Sequence, residues 1–499
     1  ILGSFIRAIP LTIISALVIS LFVALIFIPL IARFVLLREG QMGKSSSKNE
    51  HDAANFEAKV AEFIARPMLW AKHSTKKLFA VGLVALFIGF GFIFAGGTIM
   101  QKVKFNIFPP EKDANQLSTQ ITYAPGTTVA QAEKIADEVN DIVGTGLGDN
   151  MVLATYFDKA DTKNAVQYIE IIDYKKRDIT APQLIEQLNE KLKDYKAAKV
   201  ELTPIAAGPP AAAFSVRIDS SQDRAKSLVL AADIQKFLQT AELKRPDGTL
   251  GKIKSVDIAN PGVYTREDDS EYVAVTTQFA DDDTSALVTL ARAAVQKEFD
   301  EKRVESYGLA KDTISFNAGQ EDENQDSFKT MAIAFPVLLI VIYFVLAFQF
   351  RSFLQPLLIF MAIPFSFFGI TLGLYLTDNA FSFFAMLGFF ALIGLSIKNT
   401  ILVTDYANQA RREGMHAVDA AHAALAERFR PLIATSLTAI VSLIPLALSS
   451  PFWQGLCVVL IFGLASSTFL VITVFPYYYL GAEYLRIMSG RAFRKAFKK

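Results

Sequence analysis

FFAMLGFFALIGLSIKNTILVTDY, residues 383–406, is the stretch on which the reading of this chain turns. It is apolar enough to cross a bilayer, for which about 20 residues suffice, and it carries Lys398 in its interior. An ammonium at that depth costs between about 2.5 and more than 10 kcal/mol, so it persists where it is paired or faces a polar cavity. A lysine can also snorkel to the headgroups, but about seven residues separate Lys398 from the end of the span, and Asn399 adds a second polar group. Lys398 therefore asks for a carboxylate. The other apolar stretches, residues 8–32, 78–100, 331–350, 352–376 and 431–482, contain no Asp or Glu. The nearest acid, Asp405, lies at the end of the span, about 10 Å along a helix axis. The counter-charge is expected outside this polypeptide.

Working outward, the 499 residues are 52% hydrophobic, yet 20% are charged, and those charges fall between the apolar spans. Ser449, Ser450, Pro451 and Gly455 break the last apolar run in two, which makes seven spans: 8–32, 78–100, 331–350, 354–376, 383–405, 431–449 and 456–480. Lys and Arg gather in residues 33–77, at Arg351, in 411–430 and in the tail from Arg486, whereas the short loops at 377–380 and 449–455 have none. The positive-inside rule places the basic segments in the cytoplasm and residues 101–330 outside it. The expected organisation is a first membrane helix within 1–37, a cytoplasmic linker over 38–77, a second membrane helix at 78–100, soluble segments at 101–207 and 208–330, a five-helix membrane bundle at 331–482 and a basic tail at 483–499. In the linker, Phe56, Val60, Phe63 and Ile64 recur at helical spacing, which predicts an amphipathic helix on the inner membrane surface, ended by Pro67. Tyr477, Tyr478 and Tyr479 are expected in an interfacial aromatic belt.

The outer segment reads as a repeated α+β pattern. LSTQITY, MVLATYF, AVQYIEIID and KVELTPI alternate as strands, with helices predicted from Val129 to Val143 and from Ala181 to Lys193; Thr127 and Thr128 offer an N-cap, with Glu133 nearby for a capping box. After Gly208, Pro209 and Pro210 the order recurs, from FSVRIDS through a helix at residues 225–240, IKSVDIA, EYVAVTTQF, a helix at residues 284–299 and TISFNA. Two strand-helix-strand-strand-helix-strand units predict two ferredoxin-like domains with mostly antiparallel sheets, half covered by helices.

Little in this composition suggests an enzyme. His51, His73, His416 and His422 all fall in the stretches read as cytoplasmic, which leaves the outer segment without a histidine base or ligand. Gly144, Gly146 and Gly148 fit no nucleotide-binding spacing and read as a turn. The acidic runs at 281–283 and 321–323 read as solvated turns or helix starts rather than calcium sites. Met151 is the only methionine in the outer segment and Cys457 the only cysteine, a poor supply of soft ligands for copper or silver. A net charge of +1 carries no nucleic-acid signal, and the outer segment holds about ten more acidic than basic residues.

The runs GLSIKNTILVTDYANQARREG and RFRPLIATSLTAIVSLIPLALS closely resemble the last helices of resistance-nodulation-division (RND) efflux permeases, especially the hydrophobe and amphiphile exporters. FIRAIPLTIISALVISLFVALIFIPL looks like the sixth transmembrane helix of that family, FPPEKDANQLSTQITYAPGTTVAQAE like the start of its second porter region, and FQFRSFLQPLLIFMAIPFSFFGI like the connection from the eighth to the ninth helix. The resemblance implies helices six to twelve of a twelve-helix permease of the bacterial inner membrane. It places Lys398 at the family's relay lysine with Asn399 beside it, Arg428 at the arginine opening the eleventh helix and Thr435 at the relay threonine. The relay aspartates of the family sit on a fourth helix, so the implied partner of Lys398 is an acidic pair on the N-terminal half of the permease. The implied activity is that of a proton antiporter, with the proton as coupling ion and no cofactor, exporting drugs or amphiphilic, lipid-like molecules. A homotrimer and a membrane-fusion adaptor are the implied partners. The sequence departs from the family at residues 260–271, where a short turn replaces the usual docking subdomain, so engagement of an outer-membrane channel is not expected. Two other readings compete: an accessory of the same superfamily that pulls on secreted polypeptide, and a membrane sensor or structural protein without flux.

Overall fold

The computed structural model describes residues 2–36, 48–108, 113–154, 159–205, 214–259, 264–267, 270–281, 283–317 and 320–484. Seven helices among them are long and apolar enough to cross a membrane. The first runs as α1 (Leu2–Phe22), a π-helical turn (Val23–Phe27) and α2 (Ile28–Leu36), and its described side chains are exposed almost throughout. A helix apolar on every side gains nothing by standing in water, so this one belongs in lipid or against further protein.

The next helix, α3 (Lys48–Ala71), passes through Pro67 instead of ending there. Pro67 lies on the exposed side, and the lost backbone hydrogen bond is offset by a ladder of buried apolar residues on the other, Ala61, Ala65, Met68 and Ala71. Ala61, Ala65 and Met68 join one core with Val418, Ala421, Ala424 and Leu425. Val60 and Ile64 pack against this core too, while Phe63 and Trp70 point away from it; Phe56 lies where no side chain is described. Lys72 adds an ion pair to Asp419 at 2.7 Å. Then Ser74 caps α4 (Thr75–Met100).

The first sheet domain holds β1 (Gln116–Tyr123), α5 (Val129–Leu147), β2 (Met151–Ala154), β3 (Lys159–Ala160), β4 (Asn164–Ile171), α6 (Ala181–Leu192) and β5 (Ala198–Pro204). The strand order β2-β4-β1-β5 is antiparallel throughout, the arrangement expected of a ferredoxin-like unit. Leu117 and Ile121 of β1, two positions of one face, pack with Val139, Val143, Leu184 and Leu188 of the helices. Thr128 caps α5, and the box is closed by Gln131 rather than Glu133, because N3 is the position whose side chain reaches back to the cap. The glycine-rich stretch is the end of α5, where Gly148 takes φ +52°.

The second domain repeats the plan with β6 (Phe214–Asp219), α7 (Arg224–Thr240), a small hairpin of β7 (Leu243–Lys244) and β8 (Leu250–Gly251), β9 (Ile253–Ala259), β10 (Thr265–Glu267), β11 (Ser270–Phe279), α8 (Thr284–Glu298), α9 (Glu301–Ser306) and β12 (Ile314–Asn317). Its β9 pairs with β11, β11 with β6, and β6 with β12, all antiparallel. The acidic run at 281–283 turns out to be an arginine clamp: Arg245 meets Asp281 and Asp283 at 2.6 Å each. Hydrogen bonding to Asp283 raises the guanidinium pKa further. Burial pushes the Asp281 carboxyl up, but bonds from Arg245 and the Lys252 N–H more than reverse it and hold it below the usual range. Asp322, in the second acidic run, pairs with Arg292 at 2.6 Å.

The remaining helices are α10 (Gln320–Phe350), which begins a few turns before its apolar span, α11 (Leu354–Ile359), α12 (Ala362–Leu376), α13 (Phe383–Arg412), α14 (Ala417–Ser449) and α15 (Pro451–Thr473), with helical turns continuing over 475–484. α12, α13 and α15 form the packed centre. A Cβ on Gly369 of α12 would lie 2.2 Å from the Phe462 carbonyl oxygen of α15, so only glycine permits that approach. The three tyrosines expected in an aromatic belt are buried instead. The Tyr477 hydroxyl donates to the Ile64 carbonyl, Tyr478 to the Ala85 carbonyl at 3.2 Å and Tyr479 to the Asn408 side chain at 3.0 Å. A buried tyrosine needs such an acceptor, and three helices supply one each.

Backbone hydrogen bonds join the sheet domains to the bundle. The Phe381 N–H donates to the Lys104 carbonyl at 2.7 Å, the Phe383 N–H to the Ile107 carbonyl at 2.8 Å, and the Ile107 N–H to the Ser285 hydroxyl of α8 at 3.0 Å. Ile107, Phe383 and Phe384 form an aromatic-rich core there with Phe105, Phe108, Phe328 and Trp453. On the other domain, the Tyr174 hydroxyl donates to the Ser449 carbonyl at the end of α14, at 2.7 Å.

Candidate functional site

α13 begins on Ser382, whose hydroxyl accepts the Ala385 N–H. Its 30 residues extend about 45 Å, longer than a hydrocarbon core. Two faces are clearly divided. Ser396, Asn399, Thr400, Val403 and Thr404 are buried against the bundle, whereas Ala391, Gly394, Leu395, Lys398 and Asp405 form an exposed stripe. Lys398 thus stands on the open side, and among the described residues it has neither an ion pair nor a hydrogen bond. Asp405 lies two turns further along the same stripe.

Thr435 of α14 is exposed as well. Its hydroxyl donates within its own helix, to the Pro431 carbonyl at 2.8 Å, the ordinary resting place of a helical threonine. Arg428 is half-buried with its guanidinium 5.3 Å from the centre of the Tyr406 ring, and its Nε has no hydrogen-bond partner among the described residues. A cation over an aromatic face is held by about 0.5–2 kcal/mol, which leaves Arg428 free to take a carboxylate.

Asn399 turns away from Lys398, and no hydrogen bond or ion pair among the described residues brings Arg428 or Thr435 to it either. Successive helical residues are about 100° apart, so Asn399 points inward, where its Nδ2 donates to Ser436 Oγ at 3.4 Å and to Thr468 Oγ1 at 3.3 Å. Thr468 donates to Ser436 at 2.8 Å, closing a three-membered network of α13, α14 and α15. All three are buried, at 4%, 5% and 7% exposure. Such bonds between membrane helices average about 0.6 kcal/mol and reach about 1.7. Ser436 and Thr468 escaped the reading of the sequence. Their only signal is adjacency, Ser436 following Thr435 and Thr468 closing the run from Ala465 through Ser466 and Ser467.

The chain is similar in fold to a heavy metal efflux pump solved by crystallography, with a TM-score of 0.63 at 17% identity over 86% of this chain and 53% of that one. It is 27% identical over 358 residues to the swarming motility protein SwrC of Bacillus subtilis (strain 168), covering 70% of this chain and 31% of SwrC. It is 34% identical over 179 residues to the multidrug resistance protein MdtC of Enterobacter sp. (strain 638), covering 35% of this chain and 18% of MdtC. The chain thus matches about half the length of the solved pump and less of the curated relatives. A model of the AcrB/AcrD/AcrF family matches residues 1–245 and 249–483, and with its apolar helices and paired α+β domains the chain belongs to that family, the RND permeases.

Proposed function

We propose that this chain forms part of a proton-driven efflux permease of the bacterial inner membrane, exporting drugs or amphiphilic, lipid-like molecules. The observation that carries the reading is Lys398, an ammonium inside an apolar span and on the open face of its helix. An acidic pair from the rest of the permease meets it there. Protonation of that pair weakens the attraction to Lys398; the side chain reorients and the helices shift with it. Each proton entering down 100 mV supplies about 2.3 kcal/mol, to which a pH gradient adds. Thr435 is exposed and Arg428 is held only by an aromatic face, so both can exchange partners during the cycle.

In this reading the sheet domains lie outside the cytoplasm and bind cargo by apolar and aromatic contact. α3 lies along the inner surface, where Phe63 and Trp70 meet the lipid headgroups. The permease acts as a homotrimer with a membrane-fusion adaptor. Only a few residues join β9 to β10, leaving no docking subdomain there for an outer-membrane channel, although residues 260–263 of that turn lie outside those described. MdtC supports a drug-like cargo by its name alone, and likeness to the metal pump at 17% identity speaks for the fold.

The test is dye efflux from vesicles containing the whole permease, with and without an imposed pH gradient. Lys398→Met should lose the gradient-dependent efflux and still bind dye. Gradient-dependent efflux equal to that of the native protein would remove Lys398 from the relay.

A further inference from the structure

We infer that Asn399, Ser436 and Thr468 form a positioning lock that sets the rotation of the two relay helices, and that this lock must open during each proton-coupled stroke. The inference rests on the relay reading of Lys398 and Thr435 and adds residues that act through them. Lys398 and Asn399 are chain neighbours, as are Thr435 and Ser436, so each outward relay residue is paired with an inward one about 100° away around its helix. Asn399 is bonded to Ser436, and both to Thr468 of a third helix. One buried network therefore holds both relay residues on the open side at once.

Three other buried or half-buried hydroxyls nearby do something different. Ser396 donates to the Ile393 carbonyl, Thr400 to the Ile397 carbonyl, and Ser466 to the Phe365 carbonyl, all spending their protons on main chain. The Asn399 amide joins side chains from two other helices. Its bonds at 3.3 and 3.4 Å are at the long end for an N–H donor, as suits contacts that break and re-form. Turning α13 far enough to carry Lys398 from an anion moves the Asn399 amide through the same angle and separates it from both hydroxyls. The lock thereby links the charge state outside to the packing within.

Thr468→Val keeps the shape and removes the hydroxyl, Thr468→Ser restores it, and Ser467→Ala removes a neighbouring buried hydroxyl that has no partner among the described residues. Each is placed in the whole permease, and folded yield, dye binding and gradient-driven efflux are measured from pH 5.5 to 8. Thr468→Val should fold and bind dye as the native protein does, with its efflux profile displaced by about half a pH unit or more. Thr468→Ser and Ser467→Ala should keep the native profile. A native profile for Thr468→Val, or the same displacement in Ser467→Ala, overturns the lock. If Thr468→Val does not reach the membrane, Ser436→Ala carries the same expectation and the same refutation. Native efflux that ignores the gradient removes the relay reading and the lock with it; gradient-driven efflux lost in Lys398→Met but unaltered in Thr468→Val removes the lock alone.

Discussion

In the sheet domains Arg177 meets Asp113, Arg224 meets Glu271, and Arg245 meets Asp281 and Asp283, each within 2.9 Å and inside its own domain. In the bundle Lys398 meets no anion among the described residues, and it faces out from a helix otherwise packed at the centre. The two regions solve the same electrostatic problem at different places. A domain in water closes its half-buried charges internally, because an arginine stripped of its carboxylate is costly. A helix in lipid can leave a charge on its surface only where another polar surface meets it. The contrast separates domains that pair these charges internally from a helix face that leaves one exposed.

The sharpest way to break that contrast is to open the Arg245 clamp. Arg245→Met leaves two carboxylates side by side, one of them almost fully buried, and should lower the stability of the second sheet domain by about 3 kcal/mol. Hydrogen exchange of β11 and α8 in the intact chain reads this; unchanged protection would show that the clamp is ornamental. Acid gives a smaller effect with a definite sign. Because the folded Asp281 titrates below its ordinary value, its contribution is complete above the unfolded pKa of about 3.9 and fades as pH falls through the lower folded value. Protection of this domain should therefore drop below about pH 4 in the native chain and change less in Arg245→Met. The smallest expected effect is on the other side of the comparison. Lys398→Met in this chain alone removes a charge that has no partner among the described residues, so thermal unfolding should move by less than about 0.5 kcal/mol or rise slightly. A large loss of stability would mean that Lys398 already has its anion, and the contrast would fail.

Much of this was legible beforehand, for identifiable reasons. The β-strands announced themselves by alternation, as in FSVRID, where Phe214, Val216 and Ile218 are all buried. Lys398 stood out because a charge in an apolar run has few explanations. The tyrosines at 477–479 misled because an aromatic at a helix end looks the same in sequence whether it meets headgroups or the carbonyl of another helix. Pro67 misled because its local penalty is visible in the sequence and the packing of Ala61, Ala65 and Met68 is not. Ser436 and Thr468 were hidden for a related reason, since a serine or threonine in a helix ordinarily bonds its own backbone. The clamp was hidden because Arg245 lies 36 and 38 positions from its acids.

The hydrogen bonds at Ile107 make the linkage between the two regions short. A single residue receives the Phe383 N–H from the first turn of α13 and gives its own N–H to Ser285 in the first turn of α8. No swivel intervenes. A tilt of α8 that exceeds the give of two hydrogen bonds either snaps them or arrives at the head of α13, whose sixteenth residue is Lys398. The molecule is geared here like a crank, with the throw set at one peptide.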